Sequence, residues 1–402
     1  MRLPAGLTAQ EQAFPTVFVD CSAVDLAKPK SRDRVNRALE EALARVHPGA
    51  FFGQVLLKVH IGEPKCVTRL QPRFAASSAR SLRERGAAGV VAGDTTVAYS
   101  GPRSHKQNPA DDVSAYLDLA SKHGWSAEGP ARVPFVVLDR PATAIAGQFE
   151  FSEEEERVEI PGIRRFKDFY LAGGFAAADF VINHAHLTLH GVAGLAGCVK
   201  AIAMGCSSLP GKLRLHQSLL PQIDAEKCVA CGRCVDSCPE GALAAQEGSE
   251  SPVVDPDLCI GCGECAAVCA LGTGALKLRG SKITEWQRGQ DTLPARMADY
   301  TLGLMHGRWD RTIHVLHMYR VTKLCDCVNV RQSPILSRDL GFLVGKNPFA
   351  MDRVAGRMLA EALARENRDL DESALSAAET TAAYAADAYG ILADIHLERM
   401  SV

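Results

Sequence analysis

"GQVLLKVHIGEPKCVTRLQPRFAASSARSLRERGAAGVVAGD" occupies residues 53–94. Its first part, "GQVLLKVHIGE", is an apolar run that ends in polar residues, the signature of a buried strand. "RFAASSARSLRERG" carries apolar residues at helical spacing and closes on Gly86. "AAGVVAGD" is a second apolar run ending in Asp94. Two strands joined by a helical crossover form a parallel βαβ unit.

The same alternation extends outward. Upstream lie a strand, "FPTVFVDCS", and a helix, "SRDRVNRALEEALARV", with Ser31 as N-cap candidate. Downstream come helix "PADDVSAYLDLASKHG", strand "VPFVVLD", helix "IRRFKDFYLAGG" and strand "AADFVINHAH". The pattern resumes after residue 280 with helix "TLPARMADYTLGLMHG", strands "RTIHVLHMYRV" and "DLGFLVG", helix "PFAMDRVAGRMLAEALARE" and an Ala-rich helix from about Ser373. The acidic run "SEEEERVE" at Ser152 reads as a solvated surface segment. The fold expected is α/β, a mostly parallel sheet with helices on both faces. Ligands bind such sheets at the carboxyl ends of the strands, here Lys58, His60, Asp94, Asn183 and His184.

Residues 218–280 break the alternation. They hold Cys228-x2-Cys231-x2-Cys234-x3-Cys238, followed by Pro239, and Cys259-x2-Cys262-x2-Cys265-x3-Cys269, followed by Ala270. This is the spacing of two-cluster bacterial ferredoxins, in which the fourth thiolate of each run reaches the other cluster. The expected ligand sets are Cys228, Cys231, Cys234 and Cys269 for one 4Fe–4S cluster, and Cys259, Cys262, Cys265 and Cys238 for the second. Ala230, Gly232, Gly261 and Gly263 leave backbone N–H groups free to face sulfur. Zinc, the alternative, favours well-separated CxxC pairs. The domain plan expected is an α/β domain in two parts, 1–217 and 281–402, with an inserted ferredoxin-like α+β module at 218–280.

Composition agrees with a redox protein. Fourteen cysteines in a chain with 47% hydrophobic residues point to metal or redox chemistry more than to disulfides. The 45 basic and 47 acidic residues leave a net charge of −2, which gives no support to nucleic-acid binding. The N-terminal stretch lacks a signal-peptide pattern, and no apolar run approaches the ~20 residues of a membrane helix. A cytoplasmic protein without membrane contact is the expectation. No G-x-G-x-x-G or P-loop pattern supports NAD or ATP.

A second constellation runs from His184 to His216: four histidines, Cys198, Cys206, Lys200 and Lys212 in a glycine-rich setting. Far downstream stands Cys325-Asp326-Cys327, whose alternation puts both sulfurs on one side of an extended segment. Cys198, Cys206, Cys325 and Cys327 are candidates for a third thiolate site, a further iron–sulfur or mononuclear metal centre. The competing reading for Cys198 is an ordinary buried core residue. His186 and His190 are candidate ligands or proton donors, and Lys200 and Lys212 offset anionic charge. Cys21 and Cys66 read as structural; His47, His123 and His396 read as surface residues.

The stretches "KVHIGEP" (58–64), "GDTTVAYSGPR" (93–103), "HLTLHGVAGLAGCVKAIAMGCSSLPGK" (186–212), the two cysteine runs, "CDC" at Cys325 and "DLGFLVGKNPFAMDRVAG" (339–356) together resemble the domain-of-unknown-function family numbered 362, in its form with an inserted ferredoxin module. The resemblance covers about three quarters of the chain and implies an iron–sulfur oxidoreductase or electron-transfer partner. Thr188 stands where the family usually has lysine, Ala201 where it has asparagine, and Cys198 where a small apolar residue is common, which implies a specialised role.

The function expected is an iron–sulfur oxidoreductase. An electron donor such as ferredoxin or flavodoxin feeds the two clusters, and these feed a substrate or a third metal or thiolate centre in the α/β domain. The candidate site residues there are His186, His190, Lys200, Cys206, Cys325 and Cys327. The alternative is a dedicated electron-transfer protein whose α/β domain docks a partner enzyme. The substrate is an unknown small molecule, and a homodimer is an open alternative for the assembly.

Overall fold

The computed structural model describes residues 15–190, 193–216, 220–245, 251–256, 258–259, 261, 263–270, 272–278, 293–331, 335–369 and 372–402. Cys262 lies outside the described residues.

An eight-stranded sheet organises the chain. In spatial order its strands are Leu397–Ser401, Thr16–Asp20, Gly341–Gly345, Thr312–Met318, Phe180–His186, Gln54–Lys58, Gly89–Asp94 and Phe135–Val137. Every pairing is parallel except the two made by Gly341–Gly345. Lys58, Asp94, Val137, His186 and Met318 therefore end at one edge of the sheet.

Period-two alternation sends neighbouring side chains to opposite faces. Val55, Leu57, Val90, Ala92, Ile182, Val315 and Phe342 join a core with Val35, Leu39, Phe74 and Leu82 from the helices Pro29–Val46 and Pro72–Glu84. Leu56, Val91, Val136 and Val181 face the other way, onto Val199, Ile202, Met297 and Leu302. Each such fully buried aliphatic side chain contributes about 1.5–3 kcal/mol of transfer free energy. Helices thus cover both faces of a mostly parallel sheet.

Three local readings change. "IRRFKDFYLAGG" is not a helix: Asp168–Ala172 is a strand paired antiparallel with Glu155–Glu159, out of the acidic run. Phe169 and Leu171 alternate toward the core, and the acidic strand, exposed or half-buried, supplies their partner. Leu397–Ser401 adds an edge strand beside Thr16–Asp20. His123 is buried, with Nδ1 2.8 Å from Ile61 O, because the loop after the Gln54–Lys58 strand folds over it.

Two small antiparallel pairs, Pro221–Ile223 with Leu276–Leu278 and Leu243–Ala244 with Val253–Val254, flank two short helices, Arg233–Asp236 and Glu264–Ala270. Leu243, Cys265 and Leu276 form a small core of their own. Among the described residues, no helix is long and apolar enough to cross a membrane.

Candidate functional site

The described residues of the two cysteine runs match in backbone conformation. Ala230 and Gly232 in the first (φ 50 and 73), and Gly261 and Gly263 in the second (φ 69 and 83), all take left-handed backbone. Ala230 is the only one of the four with a side chain, and it bears the strain that glycine avoids at the equivalent place. Burial pushes up Cys234 and Cys259; Cys234 also lies in the field of Cys269 and Cys228, and Cys259 in that of Cys238. Ala242 N donates to Cys238 Sγ at 3.2 Å and Leu276 N to Cys269 Sγ at 3.1 Å. A pocket is lined by Cys238, Cys259, Cys265, Gly261, Gly263 and Pro239. Cys231 is exposed, so the set built from the first run opens to solvent.

One end of this cysteine-rich unit rests on the carboxyl edge of the large sheet. Lys106 Nζ sits 3.0 Å from Glu240 Oε1 and donates to Pro239 O at 2.8 Å, one residue beyond Cys238. Glu264, one residue before Cys265, is half-buried and pushed up to about 8 by desolvation and by the charge of Glu63.

That edge carries a buried ion network. Lys58 Nζ pairs with Asp94 at 3.1 Å, and Arg103 bridges Asp94 at 3.0 Å and Glu63 at 2.8 Å. Tyr99 OH donates to Glu63 Oε1 at 3.2 Å, and Gly62 N donates to His60 Nδ1 at 2.9 Å. Burial opposes ionisation of Asp94, but Lys58 and Arg103 win and hold it well below the usual carboxylate range. Lys212 donates to Thr95 Oγ1 at 2.8 Å and Ser207 O at 2.6 Å; burial brings it down to about 8.

Beside this network stands the Cys325–Val328 turn, closed by Val328 N donating to Cys325 O at 3.0 Å. Ligand atoms of His190, Cys325 and Cys327 lie within 4.8 Å of one another. Lys200 Nζ is 3.5 Å from Cys325 Sγ. The two thiols act on each other electrostatically. The interaction with Cys327, with Lys200 beside it, overcomes burial and lowers Cys325 below its ordinary value, while the interaction with Cys325 and burial push Cys327 up. Burial pulls Lys200 down, yet Cys325 and Cys327 raise it above its ordinary value.

Lys200 is aimed by its helix, Cys198–Ala203. Asp352 accepts from Cys198 N at 2.7 Å and Val199 N at 2.9 Å, taking two donors that a helix start leaves unpaired. A Cβ on Gly197 would stand 2.4 Å from Asp352 Oδ1, so only glycine allows this approach.

The remaining candidates divide. His186 does not join the thiols: Asp326 and Tyr319 O take both its nitrogens. Cys198 and Cys206 are buried and outside the His190–Cys325–Cys327 group; Cys206, near Lys58, is pushed up to about 12 by burial. Glu63, Tyr99 and Arg103 escaped the sequence reading. A charged residue in a Gly/Pro loop following a parallel strand is the signal that finds them.

The model for the domain of unknown function (DUF362) matches residues 55–357, from the Gln54–Lys58 strand into the Pro348–Ala364 helix. The chain belongs to the DUF362 family. The matched span contains every strand of the large sheet but the two at its Thr16–Asp20 edge, and the whole of the DUF362 candidate site described above. A search of curated proteins found no match.

Proposed function

We propose that this DUF362 protein is an iron–sulfur oxidoreductase that delivers single low-potential electrons to the thiol centre at Cys325 and Cys327. One observation carries the reading: one end of the cysteine-rich unit, at Pro239–Glu240 and Glu264, abuts the edge where Glu63, Tyr99 and Cys327 cluster. The field of Glu264 reaches Cys327, and that of Cys327 reaches Tyr99.

The residues fit the group. Cys238, Cys259 and Cys265 line a common cavity, two backbone N–H groups already face sulfur, and the left-handed positions leave the loops narrow. Cys228, Cys231, Cys234 and Cys269 would hold one 4Fe–4S cluster; Cys259, Cys262, Cys265 and Cys238 would hold the other. When bound, these supply one-electron transfer at low potential.

The chain's own residues do the rest. The exposed Cys231 side suits docking of a ferredoxin or flavodoxin donor. Lys106 ties the unit to the sheet, and Lys200 offsets thiolate charge at Cys325. His190 stands within reach for proton transfer, which reduction requires.

The test is anaerobic iron and sulfide analysis with electron paramagnetic resonance on wild type and on a variant with the eight cysteines changed to serine. About eight iron and eight sulfide per chain, lost in the variant, is the expected result. Stoichiometric zinc without sulfide refutes it. Reduced protein that candidate substrates never reoxidise points instead to a pure electron carrier.

A further inference from the structure

We propose that Cys325 and Cys327 are a redox-active pair that alternates between two thiols and an intramolecular disulfide and exchanges with a small molecule containing a sulfur–sulfur bond. This rests on the reading above only for the source of its electrons.

Three observations carry it. The two sulfurs already lie within 4.8 Å of each other across one intervening residue, in a turn that holds them together. Lys200 stands 3.5 Å from Cys325 Sγ and offsets the charge of a thiolate there. His190 completes the group, and Ala193 N donates to its Nδ1 at 3.0 Å. A histidine that binds a metal through one nitrogen donates the N–H of the other. Here a donor faces Nδ1, so neutral His190 carries its proton on Nε2. That tautomer suits a hydrogen-bond donor to sulfur, not a ligand. A disulfide spanning so short a loop is strained, and strained disulfides are the readily reduced ones.

The chemistry balances. Breaking the Cys325–Cys327 S–S bond consumes two electrons, supplied singly by a reduced iron–sulfur donor, and one proton. It leaves a thiolate at Cys325 facing Lys200 and a thiol at Cys327. Cys327, half-buried where Cys325 is buried, is the sulfur a substrate reaches. Cys327 attacks R–S–S–R′, forms a mixed disulfide and releases R′–S⁻, which takes the proton that Cys327 gives up. The Cys325 thiolate then displaces R–S⁻ and restores the disulfide. The sum is one substrate disulfide reduced to two thiols. Burial of Cys325 limits the substrate to a small molecule.

Trypsin releases both cysteines in one peptide, Leu324–Arg331. Anaerobic full-length protein is equilibrated with graded ratios of glutathione and glutathione disulfide, then acid-quenched, alkylated and digested. The expected result is a peptide two hydrogens lighter and unalkylated at oxidising ratios, fully recovered as the dialkylated form at reducing ratios. Lys200→Met should shift the equilibrium about tenfold toward the disulfide, about 30 mV more negative, and Lys200→Arg should restore it. A pair that stays alkylatable at every ratio, oxidises irreversibly, or is blocked by a tightly held metal overturns the proposal. Iron and sulfide are measured on the same sample. Full iron with an unreactive pair sinks this proposal alone; a reversible pair without iron supports it and sinks the electron source.

Discussion

His186 Nδ1 lies 2.7 Å from Asp326 Oδ2, and His186 Nε2 lies 2.7 Å from Tyr319 O. Both neighbours accept hydrogen bonds, so both ring nitrogens donate and the pair is an imidazolium with a carboxylate. Asp326 also accepts from Cys66 Sγ at 3.3 Å, and its carbonyl accepts from Glu63 N at 3.0 Å. The residue between the two thiols is thereby fixed from three sides.

Asp326→Asn should leave a buried cation without its counter-charge and cost about 3–5 kcal/mol, read by urea unfolding at pH 7. Burial opposes both charges, but His186 is held above its ordinary value by Asp326, and Asp326 is held at about 2 chiefly by His186. The Asp326 contribution is present above about pH 3.9 and is lost as pH falls toward 2; the His186 contribution is full below about 6.5 and fades as pH rises through its raised value. An Asn variant as stable as wild type at pH 7 contradicts the ion pair.

The protein should lose stability on mild acidification. His184 and His314 are buried and held at about 3 by desolvation, so the native state stays neutral where the unfolded chain takes up protons below about 6.5. Stability is then full above that value and falls by about 2 kcal/mol per histidine between pH 7 and 5. Asp352, pushed up to about 7 by burial despite its two N–H donors, works in the opposite direction. His184 Nδ1 and His317 Nε2 are 2.9 Å apart, so changing both to leucine removes the bond without orphaning a partner. That double variant should show a flatter pH 7 to 5 dependence; an unchanged slope rejects the account.

Gly197→Ala should destabilise by about 1–3 kcal/mol, because the added Cβ displaces Asp352 from the helix start. It should also slow modification of Cys325 by iodoacetamide at pH 7, since Lys200 rides on that helix. Equal rates in variant and wild type would uncouple the cap from the thiol.

Lys106→Ala should change global stability by less than about 1 kcal/mol, since Lys106 is half exposed. If the cysteine-rich unit feeds the sheet edge, reoxidation of the reduced protein by a small disulfide should nonetheless slow severalfold in stopped-flow absorbance. A rate identical to wild type would show that this contact does not matter to delivery.

The βαβ order of residues 53–94 was readable because the apolar pattern of each segment is local: a continuous run in Gln54–Lys58, a period of 3.6 in Pro72–Glu84. The cysteine spacing was readable for the same reason. The strand Asp168–Ala172 was missed because its partner, Glu155–Glu159, is an acidic run that looks like surface by itself. His186, His190, Cys198, Cys206, Cys325 and Cys327 were all singled out by type, yet the thiol group took only His190, Cys325 and Cys327.

Sequence by itself determined most of the elements, their order and the cysteine spacing, all written in intervals of a few residues. The tertiary structure alone decided that Lys200 meets Cys325, that Arg103 joins Asp94 to Glu63, and that Glu240 reaches Lys106. Those meetings depend on which strands lie side by side, and strand order is set by burial summed over the whole chain, not by any one segment.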